Sequence, residues 1–230
     1  MPEMPGSQSP EPDPLAGESA APEDRLADRL AGLGVPASQR LASTLHQLGT
    51  VDRAVYSAIA SVQTPLLDVP VRRLSRAADH SWLWLGIAGT LAVTGGPSGR
   101  RAALRGVLAI GVSSTLVNVG VKSLSRRRRP DRASAGVPGV RHVRMPASAS
   151  FPSGHAASAF AFATAMGREK PWVSLGLRFL AAGVAYSRIH TGVHYPGDTV
   201  VGALIGAAAG QAVADTLDRH QAAPALPAAC

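Results

Sequence analysis

Three short stretches of the chain hold residues whose types and spacing could do chemistry: Lys122 with Arg129-Pro130, Pro152-Ser153-Gly154-His155, and Ser187-Arg188 followed by His194 and Asp198. They supply three cations, two imidazoles and one carboxylate, the inventory needed to hold a phosphate, attack it and protonate what leaves. A neutral imidazole attacks phosphorus through one ring nitrogen when a carboxylate holds the other N–H, and Asp198, four residues after His194, is placed to do that. His155 is the candidate general acid, and then the base when water cleaves the intermediate. Ser153 and Gly154 precede an apolar run, so their backbone N–H groups and the helix dipole can point at an anion. Lys122, Arg129 and Arg188 would clamp the equatorial oxygens, the two guanidinium forks by paired contacts and Lys122 as a point charge.

Each stretch alone also has an ordinary explanation. Asp198 is a good residue for the start of a helix, and Pro-Ser-Gly-His reads equally as an N-cap followed by an incidental histidine. For Arg126, Arg127 and Arg128 a solvated or headgroup-facing basic run is the preferred reading, and only Arg129 falls on the motif spacing. His46, His80, His142, His190 and His220 are read as ordinary, although His190 lies close enough to Arg188 to line a site. No His, Cys or carboxylate cluster has metal-ligand spacing, so neither a metal nor another cofactor is expected.

The elements that must position these residues are apolar segments: Trp82 to Gly96, Ala102 to Leu124, Ala156 to Gly167, Trp172 to Ile189 and Val200 to Val213. Several are shorter than the roughly 18 to 20 residues of a plain membrane helix. Trp82, Trp84 and Trp172 at segment ends and short polar connections nevertheless favour a membrane bundle. Arg178, in the middle of one segment, runs against that reading unless it faces the interior or snorkels, and no function is assigned to it. Suppose the segment ending at Leu124 crosses the bilayer and the next ones cross back in turn. Parity then puts Lys122, Arg129, His155, Arg188, His194 and Asp198 at one membrane face.

The three motifs, Lys-x6-Arg-Pro, Pro-Ser-Gly-His and Ser-Arg-x5-His-x3-Asp, resemble in order and spacing the tripartite signature of the type 2 phosphatidic acid phosphatase superfamily, and no motif position is missing. The resemblance covers roughly residues 51–215. It implies an all-α fold, here a multi-pass membrane bundle of about five or six helices with its active site at one membrane face. It also implies a covalent phosphohistidine, no required metal, and a site on the extracytoplasmic side of the cell membrane. Carried onto this chain, Lys122, Arg129, Ser153, Gly154 and Arg188 bind phosphate while His194, His155 and Asp198 do the chemistry. The implied activity is hydrolysis of a lipid phosphomonoester or diphosphate. The alternatives are a lipid phosphotransferase using the same intermediate and a vanadate-dependent haloperoxidase, which usually goes with a larger soluble protein.

The remainder of the chain sets the frame. Residues 1–24 are acidic and proline-rich and read as a disordered tail, with no signal peptide visible. Residues 25–50 read as two short amphipathic helices packed on the body or lying at the membrane surface, 51–218 as the membrane domain and 219–230 as a tail; 51–78 either spans obliquely or lies in the interface. Apolar residues make up 46% and aromatics only 4%, so the interior is built from small and aliphatic side chains, which suits close helix packing in a bilayer. The single cysteine, Cys230, excludes an internal disulfide. The formal charge is +8, and the six acids of residues 1–24 leave +14 on the rest. The basic loop from Arg126 to Arg144 lacks Phe, Tyr and Trp, which argues against nucleic acid; the resemblance implies a membrane lipid phosphate, met in the bilayer, as partner. Its arginines would place the active site in the cytoplasm by charge counting, but they are selected for chemistry, and the outer face is favoured. Phosphatidic acid, phosphatidylglycerol phosphate and polyprenyl-linked phosphates all fit, with Arg132, Arg141 and Arg144 expected to help discriminate among them.

Overall fold

The computed structural model describes residues 22–125 and 127–222, and these form helices joined by irregular loops, with no strand among them. The expected acidic tail lies outside the described residues up to residue 21, as do Arg126 and residues 223–230. The helices are α1 (Pro22–Gly32), α2 (Pro36–Ser61), α3 (Pro65–Ala77), α4 (Trp82–Thr94), α5 (Gly96–Leu124), α6 (Gly154–Ala165), α7 (Pro171–His190) and α8 (Pro196–Ala222). Five of them begin on proline, whose fixed φ and missing N–H suit the first turn. Two boundaries differ from the sequence reading: α2 runs past residue 50 without a break, and α8 continues beyond residue 218.

Helices α4 to α8 pack into a bundle around α6, which touches α5, α7 and α8. Its aromatic centre is Trp84 against Phe162, rings 5.5 Å apart, each fully buried and contributing about 2–3 kcal/mol by removal from water. The closest approach is α6 on α8. A Cβ added to Gly202, Gly206 or Gly210 would overlap the carbonyl of Ser153, Ala157 or Ala161 respectively. These glycines, one every four residues, let two backbones touch.

Outside the bundle, Val93, Val119, Phe179 and Leu204 are largely exposed, an apolar belt that water would not tolerate. Helix α5 spans 29 residues and α8 has a 26-residue span, both at mean hydropathy 1.5 and long enough to cross a bilayer. At one end of the bundle Arg105, 3% exposed, bonds Asp218 at 2.7 Å and Glu169 at 3.4 Å, while Arg101 reaches Glu169 and Arg168 reaches Asp215. That cluster ties the start of α5, the α6–α7 turn and the end of α8.

At the other end lies α2, with Tyr56 buried edge-on against Tyr195, beside α3, which packs on α7. Residues 51–78 therefore cover that end. Helix α1 packs back onto α2, and Leu26, Leu33, Leu41 and Leu48 of the expected amphipathic stripes remain exposed. Arg141 is fully buried and fastens this cover: it bonds Asp68 at 2.8 Å and the carbonyls of Ile59, Ala60 and Val62 at the end of α2. It is thereby held away from any lipid, contrary to the discriminating role expected from the sequence.

Candidate active site

The loop ends of α5, α6, α7 and α8 and the α3–α4 turn surround one cavity of about 230 Å³, lined in part by Lys122, Arg129, Gly154, His155 and His194. Helix parity thus places the six residues as expected, at one end of the bundle. A π-helical stretch, Leu116–Val121, precedes Lys122. Four residues overshoot an α-turn and undershoot a wider π-turn, so Ser114, Asn118 and Lys122 stay in one line along the cavity wall.

His194 sits in the α7–α8 loop, 1% exposed. Its Nδ1 is 3.3 Å from Oδ2 of Asp198 and its Nε2 is 3.1 Å from Nη1 of Arg129. A guanidinium only donates, so Nε2 is the acceptor and the proton resides on Nδ1, aimed at Asp198. Burial pushes the ring's pKa down to about 3, against the opposing pull of Asp198. The ring is neutral, and its Nε2 lone pair, on the side that lines the cavity, is covered by Arg129.

Asp198 is fully buried at the third position of α8. It accepts Nη1 of Arg127 at 2.8 Å, Oγ of Ser150 at 2.5 Å and the Tyr195 N–H at 2.9 Å. The bond to Tyr195 is the helix-capping role anticipated for an aspartate here, so it caps and orients at once. Arg127 overturns its sequence reading: it is 3% exposed, bridges Asp198 to Asp52 of α2, and lies 4.3 Å from the Tyr195 ring. Asp52 also accepts the Gly197 N–H at 2.6 Å.

His155 stands across the cavity in the first turn of α6. Its Nε2 is 2.9 Å from Oδ1 of Asp79, a carboxylate the sequence reading did not single out. That bond is the main reason the Asp79 pKa lies below the usual carboxylate range. The turn bearing Asp79 is unusual: His80 and Ser81 both adopt left-handed backbone, φ 52° and 62°. Such conformations cost energy in residues with a Cβ and cluster where a site needs them. His80, taken as ordinary from the sequence, lines the cavity.

The remaining predicted groups divide. Lys122 Nζ reaches Ser148 Oγ at 3.5 Å and lies near Gly154. Arg129 spans the Val193 and Ser148 carbonyls at 2.8 and 3.0 Å; burial lowers its pKa to about 10, which leaves it charged. Ser153 is fully buried and acts as the N-cap of α6, its own N–H bonded to the Asp198 carbonyl at 2.9 Å. Arg188 stands behind His155, bonding Ser75 Oγ at 2.7 Å and Asp79 at 3.5 Å. Neither Ser153 nor Arg188 is in the cavity lining. Among the described residues no group of three His, Cys, Asp or Glu could hold a metal ion.

Comparison with known proteins identifies the family and the fold. The model of the PAP2 superfamily matches residues 102–221. A decaprenylphosphoryl-5-phosphoribose phosphatase of Mycobacterium tuberculosis is 36% identical over 171 residues, which is 70% of this chain and 89% of that protein. The crystal structure of LpxE from Aquifex aeolicus superposes with a TM-score of 0.59 at 27% identity, covering 72% of this chain and 95% of that one. A transmembrane PAP2-type phosphatidylglycerolphosphate phosphatase from Bacillus subtilis shares the fold at a TM-score of 0.57 and 20% identity, over 85% and 93% of the two chains.

Proposed function

The chain belongs to the PAP2 superfamily, and on that premise we propose that it is an integral membrane phosphatase that hydrolyses a lipid phosphate through a phosphohistidine on His194. The observation that carries this is the setting of the His194 ring: Nδ1 is turned to Asp198, and Nε2 faces a cavity walled by Lys122 and Arg129.

A phosphate entering the cavity displaces Arg129 from Nε2, and the freed Nη1 grips a phosphoryl oxygen. Nε2 then bonds to phosphorus as the bond to the leaving oxygen breaks, and His155 donates the proton that oxygen takes up. Its Nε2 is held by Asp79, so Nδ1 handles the proton. Water attacks next: His155 recovers a proton from it, the phosphorus–nitrogen bond breaks, and phosphate leaves with His194 neutral again. Lys122, Arg129 and the N–H groups at Gly154 hold the charge, which is the larger share of catalysis in phosphoryl transfer. Ser153 and Arg188 serve by fixing the start of α6 and the Asp79–His155 pair.

The substrate we favour is a phosphomonoester on a polyprenyl-linked sugar. Ser114, Asn118 and Ser158 line the cavity between apolar helix faces, which suits a leaving group rich in hydroxyls, and the mycobacterial relative is named for such a substrate. We place the protein in the plasma membrane with its site on the outer face. Arg127 and Arg141, which weigh on the opposite side in charge counting, are buried in ion pairs, the first behind the site and the second in its cover.

The test is phosphate release in detergent, with and without EDTA, from polyprenyl sugar phosphate, phosphatidic acid and phosphatidylglycerol phosphate. Wild type should release phosphate with EDTA present, and His194→Ala should lose at least about a thousandfold while remaining folded. Activity surviving in that variant sinks the nucleophile assignment; transfer to an alcohol without phosphate release sinks hydrolysis.

A further inference from the structure

A second cavity, of about 450 Å³, opens near the other end of the bundle, lined by Gly167, Arg168, Trp172, Leu175, Arg178 and Gln211 among others. Its charges are unevenly committed. Arg168 is tied to Asp215 at 2.7 Å, and Gln211 donates to the same carboxylate at 2.8 Å. Arg178 is exposed, and among the described residues no group hydrogen-bonds or ion-pairs with its guanidinium. Its Nη2 lies 3.9 Å from where a Cβ on Gly167 would be, so the side chain runs back along α7 toward the bundle end.

The position gives this cation its meaning. Arg178 lies seven residues into α7, about 10 Å along its axis, on a face that carries Leu175 and Phe179, 46% and 73% exposed. Trp172, 84% exposed, stands at the start of the same helix where an interface anchor belongs. An unpaired guanidinium at the boundary of headgroup and acyl chain is costly unless it snorkels or meets an anion there.

We propose that this cavity holds the phosphate of an anionic phospholipid, with Arg178 on the phosphate, Trp172 at headgroup level and Leu175 and Phe179 against the acyl chains. The site is separate from the catalytic cavity, and its ligand is a phosphodiester rather than the phosphomonoester proposed for His194. Basic recesses between membrane helices recognise anionic headgroups in this way.

Purified full-length protein tests it, with thermal unfolding followed on addition of phosphatidylglycerol, phosphatidylcholine or inorganic phosphate. Phosphatidylglycerol should stabilise the wild type and the other two should not. Arg178→Gln should bind phosphatidylglycerol about fivefold more weakly, the loss expected of one cation near an anionic surface. Arg178→Lys should keep most of the effect, Trp172→Ala should lose part of it, and phosphate release by Arg178→Gln in detergent should match wild type. Equal stabilisation of wild type and Arg178→Gln overturns the proposal, as does equal stabilisation by phosphatidylcholine. Inorganic phosphate alone reproducing the shift overturns the lipid as its source.

Discussion

His194 and His155 each touch one carboxylate, and the two contacts differ in kind. Asp198 is sealed from solvent and divides its charge among a guanidinium, a hydroxyl and a backbone N–H besides the imidazole, so it orients His194 without charging it. Asp79 is partly exposed, and its shorter contact with His155 fixes that ring with Nε2 on the carboxylate and Nδ1 left to carry the proton of a general acid. Asp79→Asn should therefore lower kcat about 10- to 100-fold, part of what a general acid contributes, and leave KM nearly unchanged. Asp79→Glu should recover some of the loss, and a change confined to KM would show that Asp79 only shapes the cavity. The motif residues were legible because their spacing is local. Asp79, Asp52 and Ser150 were not, for they meet their partners from 76, 75 and 48 residues away. Arg127 was hidden differently: in a run of four arginines, sequence spacing marks Arg129 and says nothing about which neighbour folds inward.

At the scale of elements, apolar patterning located α4, α6 and α7 closely but started α5 late and stopped α8 well short of Ala222, and parity predicted which helix ends meet. What it missed is the contact that sets their separation. Gly202, Gly206 and Gly210 look like ordinary small residues in a small-residue sequence, and only the backbone of α6 lying against them shows why no side chain fits. Gly206→Val should fail to assemble or should lower the thermal midpoint by several degrees, since overpacking costs about 1–3 kcal/mol or more. Gly176→Ala, at a helical position where an added Cβ meets nothing within 4 Å, should be neutral or slightly stabilising, and is the control. An unchanged midpoint in Gly206→Val would mean that α6 and α8 are not in backbone contact.

Across the whole molecule, the site joins the bundle to its cover: Asp52 of α2, Arg127 of the loop, Asp198 of α8 and His194 form one chain of contacts. Stability should follow the charge state of its last member. Below about pH 6.5 the unfolded chain protonates this imidazole, while the folded one resists until about pH 3. The stability it confers is complete above pH 6.5 and is lost progressively as pH falls toward 3. Thermal midpoints from pH 7.5 to 4.5 should fall in wild type and fall less steeply in His194→Asn; parallel slopes would contradict a neutral buried ring. The glycine seam has a further consequence for the assembled site. Glycines recur every four residues on α8, and so do the opposing carbonyls of Ser153, Ala157 and Ala161 on α6. The two helices mesh like racks whose next tooth is about 6 Å away. A slip of less than one tooth lifts each glycine off its facing carbonyl and parts the two backbones, so the seam holds His155, in the first turn of α6, in register with the start of α8 beside His194.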